Sequence, residues 1–105
     1  MMTKEYILTK LKELKPKYEQ DGLIILGLFG SYAKDNATEN SDIDILYKLE
    51  IDKFLTKYDG FSGFSKLNSV RDELKDIFHK NIDLCTINQN NETFKKYALN
   101  ETIYV

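Results

Sequence analysis

Leu23-Ile24-Ile25-Leu26-Gly27-Leu28-Phe29 carries no polar side chain at any of its seven positions, and Gly30-Ser31 stops it. A run apolar on both alternating sets of positions reads as a strand covered on both faces, central in its sheet. Such a strand needs cover above and below, and the rest of the chain must supply it. Two further segments read as strands. Asp42 to Leu49 opens Asp42-Ile43-Asp44-Ile45-Leu46-Tyr47 and alternates. Asn81 to Ile87 puts Ile82, Leu84 and Thr86 on one face, with Asn81, Asp83 and Cys85 on the other.

The cover is visible as helical spacing. Ile7, Leu8, Leu11, Leu14 and Tyr18 recur at three and four, which predicts an amphipathic helix over Lys4 to Tyr18. Thr3 can cap its start, and Pro16 followed by Asp21-Gly22 is expected to end it. Leu67, Val70, Leu74, Ile77 and Phe78 predict a second helix from about Phe64 to His79. Shorter helices are expected over Asp52 to Thr56 and Glu92 to Leu99. Ser31 to Ala33 reads as a first helical turn, Lys34 to Ser41 as a polar loop, and Asp59-Gly60-Phe61-Ser62-Gly63 as the most flexible stretch. Thr102-Ile103-Tyr104-Val105 reads as a terminal strand or a tail for a partner. Helices alternating with strands predict an α/β layer structure, a single domain spanning 1–105.

Bulk properties exclude several functions. The 15 basic and 17 acidic residues are mixed along the chain, for a net charge of −2. No basic block tracks a nucleic-acid backbone, so long DNA or RNA is not an expected partner. Cys85 is the only cysteine, which excludes an internal disulfide and suits a reducing compartment. The longest apolar run is far short of a bilayer span and no signal-peptide core opens the chain, so the expectation is a cytoplasmic protein.

Chemistry concentrates at strand ends. Residues i and i+2 of a strand share a face, so Asp42 and Asp44 project together with Cα atoms roughly 7 Å apart and can converge on hard cations. Mg²⁺ is the natural occupant, being held by one or two carboxylates plus substrate phosphates. Gly30 permits a sharp turn with no Cβ in a ligand's way. Ser31 then opens a turn whose free N–H groups favour a phosphate. Asp83, between Ile82 and Leu84, would be costly to bury as a lone charge. Beside Asp42 and Asp44 it completes three carboxylates suited to phosphoryl-type transfer, where metals clamp the attacking and leaving oxygens and one carboxylate takes the nucleophile's proton.

Read singly, Ser31 is a helix cap, Asp42 a loop carboxylate, and Asp83 a charge at a sheet edge. Their conjunction carries the functional reading. His79, the sole histidine, reads as a cation at a helix end. Cys85 reads as a small core hydrophobe. Phe61 and Phe64 are candidates for packing on a base or a partner, and Tyr97 and Tyr104 for anchoring a partner.

Leu28-Phe29-Gly30-Ser31-Tyr32-Ala33, the ten-residue gap, Ser41-Asp42-Ile43-Asp44-Ile45-Leu46 and the later Ile82-Asp83-Leu84 resemble the minimal nucleotidyltransferases. These are the smallest members of the DNA polymerase beta-like superfamily. The resemblance implies the nucleotidyltransferase fold, α/β (α+β) with a mixed sheet of three to four strands flanked by helices. It implies ATP held at Gly30 and Ser31, with Lys34 adding a charge for phosphate, and a two-metal Mg²⁺ site on Asp42, Asp44 and Asp83. Asp83 becomes the candidate base. Where the family often has Arg-Gly, this chain has Lys34-Asp35, and lysine lacks the planar two-point grip of arginine.

Members of this size are commonly encoded beside a HEPN-type ribonuclease toxin and act as its antitoxin, some by transferring AMP to a tyrosine of the toxin. The expected activity is therefore Mg²⁺-dependent transfer of AMP from ATP to a hydroxyl of such a partner, in a homo- or hetero-oligomer. Two alternatives stand beside it: a binding-only antitoxin with an idle site, and transfer to a small hydroxylated molecule.

Overall fold

A computed structural model describes residues 2–87 and 91–105. Helix α1 (Lys4–Glu19) leads into strand β1 (Leu23–Phe29), and strand β2 (Ile43–Leu49) follows a polar loop. Helices α2 (Ile51–Lys57) and α3 (Phe61–Phe78) connect to strand β3 (Ile82–Thr86). Helix α4 (Glu92–Glu101) and strand β4 (Ile103–Tyr104) complete the order. The sheet runs β3-β2-β1-β4. It is mixed: β1 is antiparallel to both β2 and β4, while β2 and β3 are parallel across the α2–α3 connection. The chain thus forms a small α+β domain, and its last residues are a strand, not a tail.

Periodicity decides which face each element covers. Ile7 and Leu11 of α1 and Val70, Leu74 and Phe78 of α3 are buried on one sheet face against Ile25, Leu28, Ile43 and Ile45. Phe94, Ala98 and Leu99 of α4 pack on the opposite face over Phe29, Leu46 and Cys85. Burying a Leu or Ile side chain is worth roughly 1.5–3 kcal/mol, so these two patches hold the sheet between its helical layers. No helix of the structure is long and apolar enough to cross a membrane among the described residues.

β1 is not a regular strand. Ile25 pairs with Tyr47 and Gly27 with Leu46, leaving Leu26 as an extra residue, a β-bulge. The bulge exchanges faces along the strand: Leu23, Ile25 and Leu28 enter the α1–α3 core, whereas Leu26 and Phe29 lie under α4. Gly27 is needed next to it for close approach, since a Cβ there would fall on the carbonyl oxygen of Ile103 in β4.

One helix boundary agrees with the expectation and one is corrected. α1 ends at Glu19, one residue past the expected Tyr18, with Pro16 inside its last turns and Asp21-Gly22 just beyond, and the Pro16 carbonyl accepts from the Gln20 amide. Proline forfeits one hydrogen bond, but Tyr18 is buried and donates to Glu73 of α3, anchoring the final turn. The stretch Phe61-Ser62-Gly63 is helical, because α3 starts at Phe61 and Gly63 is buried against the Phe54 ring of α2. Phe61 and Phe64 are exposed on that helix.

Candidate active site

The C-terminal end of β1 and the starts of β2 and β3 meet at one end of the sheet. Phe29 pairs with Asp44, and Asp44 lies directly across from Asp83 in the parallel β2–β3 ladder. Alternation puts Asp44 on the face of Leu46, and Asp83 on the face of Cys85, which is the face α4 covers. α4 shields the middle of that face and leaves the end bearing the carboxylates accessible. Asp42 stands one residue before β2 and is exposed, Asp83 is exposed, and Asp44 is half-buried.

Gly30 closes on this group from β1. Its φ is +76°, and a Cβ on it would fall on Oδ2 of Asp44. Only glycine provides both the turn and the space. Ser31 to Asp35 then form one tight turn rather than a helix. The Lys34 amide donates to the Gly30 carbonyl, the Asp35 amide to Tyr32 and the Asn36 amide to Ser31. Asp35, at φ 61°, ends the turn in the left-handed conformation, in the bonding pattern that closes helix C-termini. A single turn has little macrodipole. What it can offer an anion is the set of amides of Ser31, Tyr32 and Ala33, which bond to no backbone acceptor among the described residues.

Electrostatics single out Asp44. Burial pushes its pKa up to about 6, with the Asp83 charge and hydrogen bond and the Asp42 charge adding to the effect. Two carboxylates face to face at a sheet end repel each other, and a proton or a cation between them relieves that repulsion. Cys85, beneath the pair, has its thiol pushed up to about 11 by burial and then by the Asp44 and Asp83 charges. It is half-buried under α4 and packs as an apolar side chain.

A resident cation fits this donor set in a particular way. Among the described residues no three His, Cys, Asp or Glu side chains converge to hold an ion by themselves. The Asp44–Asp83 pair with Asp42 at its mouth is instead an open oxygen site. Mg²⁺ commonly occupies such sites, completing its shell with water and substrate phosphates.

Around this centre lie two further features. An open hollow of about 530 Å³ adjoins Asp42 on the β3 side, lined by Ser41, Lys75, His79 and Lys80 among others. His79 is the left-handed C-cap of α3, its amide donating to the Lys75 carbonyl, which agrees with a helix-end role. On the β1 side, Lys34 reaches α4: its Nζ donates to Tyr97 Oη at 2.8 Å and lies 5.3 Å from that ring's centroid. Tyr97, which its sequence position suggested only for a partner surface, is thereby joined to the turn that follows β1. No local pattern marks it, because the contact joins residues 34 and 97 through the fold.

Residues 9–105 match the family described as "Polymerase beta, Nucleotidyltransferase". "Putative protein adenylyltransferase MJ0126" of Methanocaldococcus jannaschii is 34% identical over 95% of this chain and 90% of its own length. "Putative protein adenylyltransferase MJ1379" of the same organism is 33% identical over 97% of this chain and 93% of its own. In fold, the chain is similar to a solved structure described as "Structure of putative minimal nucleotidyltransferase". The TM-score is 0.73 at 19% identity, covering 99% of this chain and 97% of that one.

Proposed function

This chain belongs to the polymerase beta nucleotidyltransferase family, and from that premise we propose that it moves AMP from ATP to a protein hydroxyl. The observation that carries the reading is the paired Asp44 and Asp83 carboxylates closed against the Gly30 elbow. The relatives' names support a protein acceptor. So does the openness of the site, since Asp42 and Asp83 are exposed and reachable by a side chain on another protein's surface. The acceptor we assign is a tyrosine of a HEPN-type toxin encoded beside this chain, which would make the protein its antitoxin.

In this reading the amides of Ser31 to Ala33 hold the triphosphate tail beside Gly30, and Lys34 adds a cation. The Asp44–Asp83 pair, with Asp42 at its mouth and the substrate phosphates completing the donor set, would hold Mg²⁺, which supplies Lewis-acid stabilisation of the charge developing on the phosphoryl oxygens. The acceptor hydroxyl enters from the β3 side, over the hollow next to Asp42. Its oxygen attacks the α-phosphorus, Asp83 accepts its proton, the bond from the α-phosphorus to the bridging oxygen breaks, and pyrophosphate leaves. Asp44, deprotonated above about pH 6, keeps the centre anionic at neutral pH.

The test is incubation of the protein with its genomic neighbour, Mg²⁺ and α-labelled ATP, with Asp44→Asn in parallel. Label on a tyrosine of the neighbour, lost in the variant, supports the assignment; an unlabelled neighbour removes it. A masking antitoxin with an idle site is separated by the Asp42→Ala, Asp44→Ala double variant. That variant still neutralises the toxin if contact alone suffices, and forms an inert complex if transfer is required.

A further inference from the structure

We infer that Lys34 and Tyr97 form a two-donor clamp for one phosphate of the nucleotide, in which the Tyr97 hydroxyl supplies the second contact that a lysine by itself lacks. The inference rests on the nucleotide-binding reading above and adds a binding residue from a different part of the chain.

Donor arithmetic carries it. Nζ of Lys34 has three N–H bonds and no lone pair, and one of them is directed at Tyr97 Oη. The hydroxyl accepts that bond and keeps its own O–H to donate outward. The pair therefore presents N–H and O–H donors 2.8 Å apart, near the spacing of two oxygens on one tetrahedral phosphorus. A guanidinium achieves such a grip with its planar fork; a lone ammonium on four methylenes does not.

The surroundings keep the pair aimed. Lys34 lies within the turn that Gly30 opens, its amide donating to the Gly30 carbonyl. Tyr97 projects from α4, the helix on the carboxylate-bearing face, so the clamp bridges the phosphate-binding turn and that helix. The bond to Tyr97 favours the protonated amine, and Glu101, one helical turn beyond Tyr97, adds a smaller favourable charge. The neighbouring acid Asp35 is turned away: its carboxylate accepts from Lys4 Nζ at 2.9 Å. Tyr97 is 48% exposed, and its hydroxyl accepts from Lys34 without donating to any acceptor among the described residues.

The experiment is calorimetric titration of wild type, Tyr97→Phe, Lys34→Arg and the Lys34→Arg, Tyr97→Phe double variant with a non-hydrolysable ATP analogue in Mg²⁺, with thermal melts to verify folding. Loss of a hydrogen bond to a charged group predicts about tenfold weaker binding for Tyr97→Phe. In the Lys34→Arg background, where the fork supplies both donors, the same substitution should change binding by less than about twofold. Wild-type affinity in Tyr97→Phe overturns the clamp and leaves the proposed function standing. Equal weakening in both backgrounds also overturns it, because Tyr97 then acts independently of Lys34. A wild type that binds no nucleotide overturns the proposed function and the clamp together.

Discussion

A methyl group on Gly30 would occupy the position of Asp44 Oδ2. The turn after the first strand and the carboxylate of the second are therefore one structural unit, in contact across the antiparallel β1–β2 ladder. Gly30→Ala should cost roughly 2–3 kcal/mol, from the backbone at φ +76° and from displacing the carboxylate. Adding Asp44→Ala should recover about 1 kcal/mol of that loss, since it removes the carboxylate but not the backbone strain. Chemical denaturation of the two single variants and the double measures this coupling; simple additivity would mean the two residues do not touch.

Asp44 should make the metal-free protein less stable as pH rises. Its folded-state pKa is about 6 against an ordinary 3.8, so between these values the folded state binds more protons than the unfolded. Stability then falls as pH climbs through that window and levels off above it. Asp44→Asn should flatten the slope and raise stability at pH 7 by about 1 kcal/mol, discounted for the partial exposure of the group. The same change should reduce nucleotidyl transfer on the order of 10²-fold or more. Thermal melts across pH, paired with a transfer assay, check both halves.

Asp35 occupies a left-handed position at φ 61°, closing the turn where the resembling family often has glycine. Gly and Asn substitutions should be at least as stable as wild type, while Ala should lose about 1 kcal/mol, because a plain Cβ is disfavoured there. The exposed Lys4–Asp35 ion pair contributes less than about 1 kcal/mol and should not reverse the ranking. Melting temperatures of the three variants test it, and an Ala variant matching wild type would refute the turn geometry.

Cys85 should be a slow thiol. Burial under α4 and the charges of Asp44 and Asp83 hold it protonated to about pH 11. Alkylation by iodoacetamide at pH 8 should run at least roughly tenfold slower in the native than in the denatured protein. Asp44→Asn should speed the native rate modestly by removing one of the charges. A native rate equal to the denatured rate would place Cys85 at the surface.

Hydrophobic spacing made the strands, the main helices and the central place of Leu23–Phe29 legible, because burial on one face imposes its period directly on the chain. The facing of Ile82 and Leu84 against Asp83 and Cys85 was legible for the same reason. The left-handed turn at Asp35 was not, since Asp tolerates that conformation without announcing it. Nor was the bulge at Leu26: in a run apolar on both sides, an extra residue breaks no visible alternation, and Gly27 was its only trace. The end of α1 was legible as well: Pro16 lies inside its last turns, its lost hydrogen bond outweighed by the burial of Tyr18, and Asp21-Gly22 follow.

By itself, then, the order of residues determined that a glycine-serine elbow and three acids would sit at strand ends, because short-range geometry and periodicity are properties of neighbours along the chain. Tertiary structure alone decided that Asp44 meets Asp83 and Gly30, that α4 covers their face, and that Lys34 finds Tyr97 sixty-three residues away. Those contacts depend on strand register, a bulge and helix docking, which come from packing the whole domain and leave no mark in any local stretch.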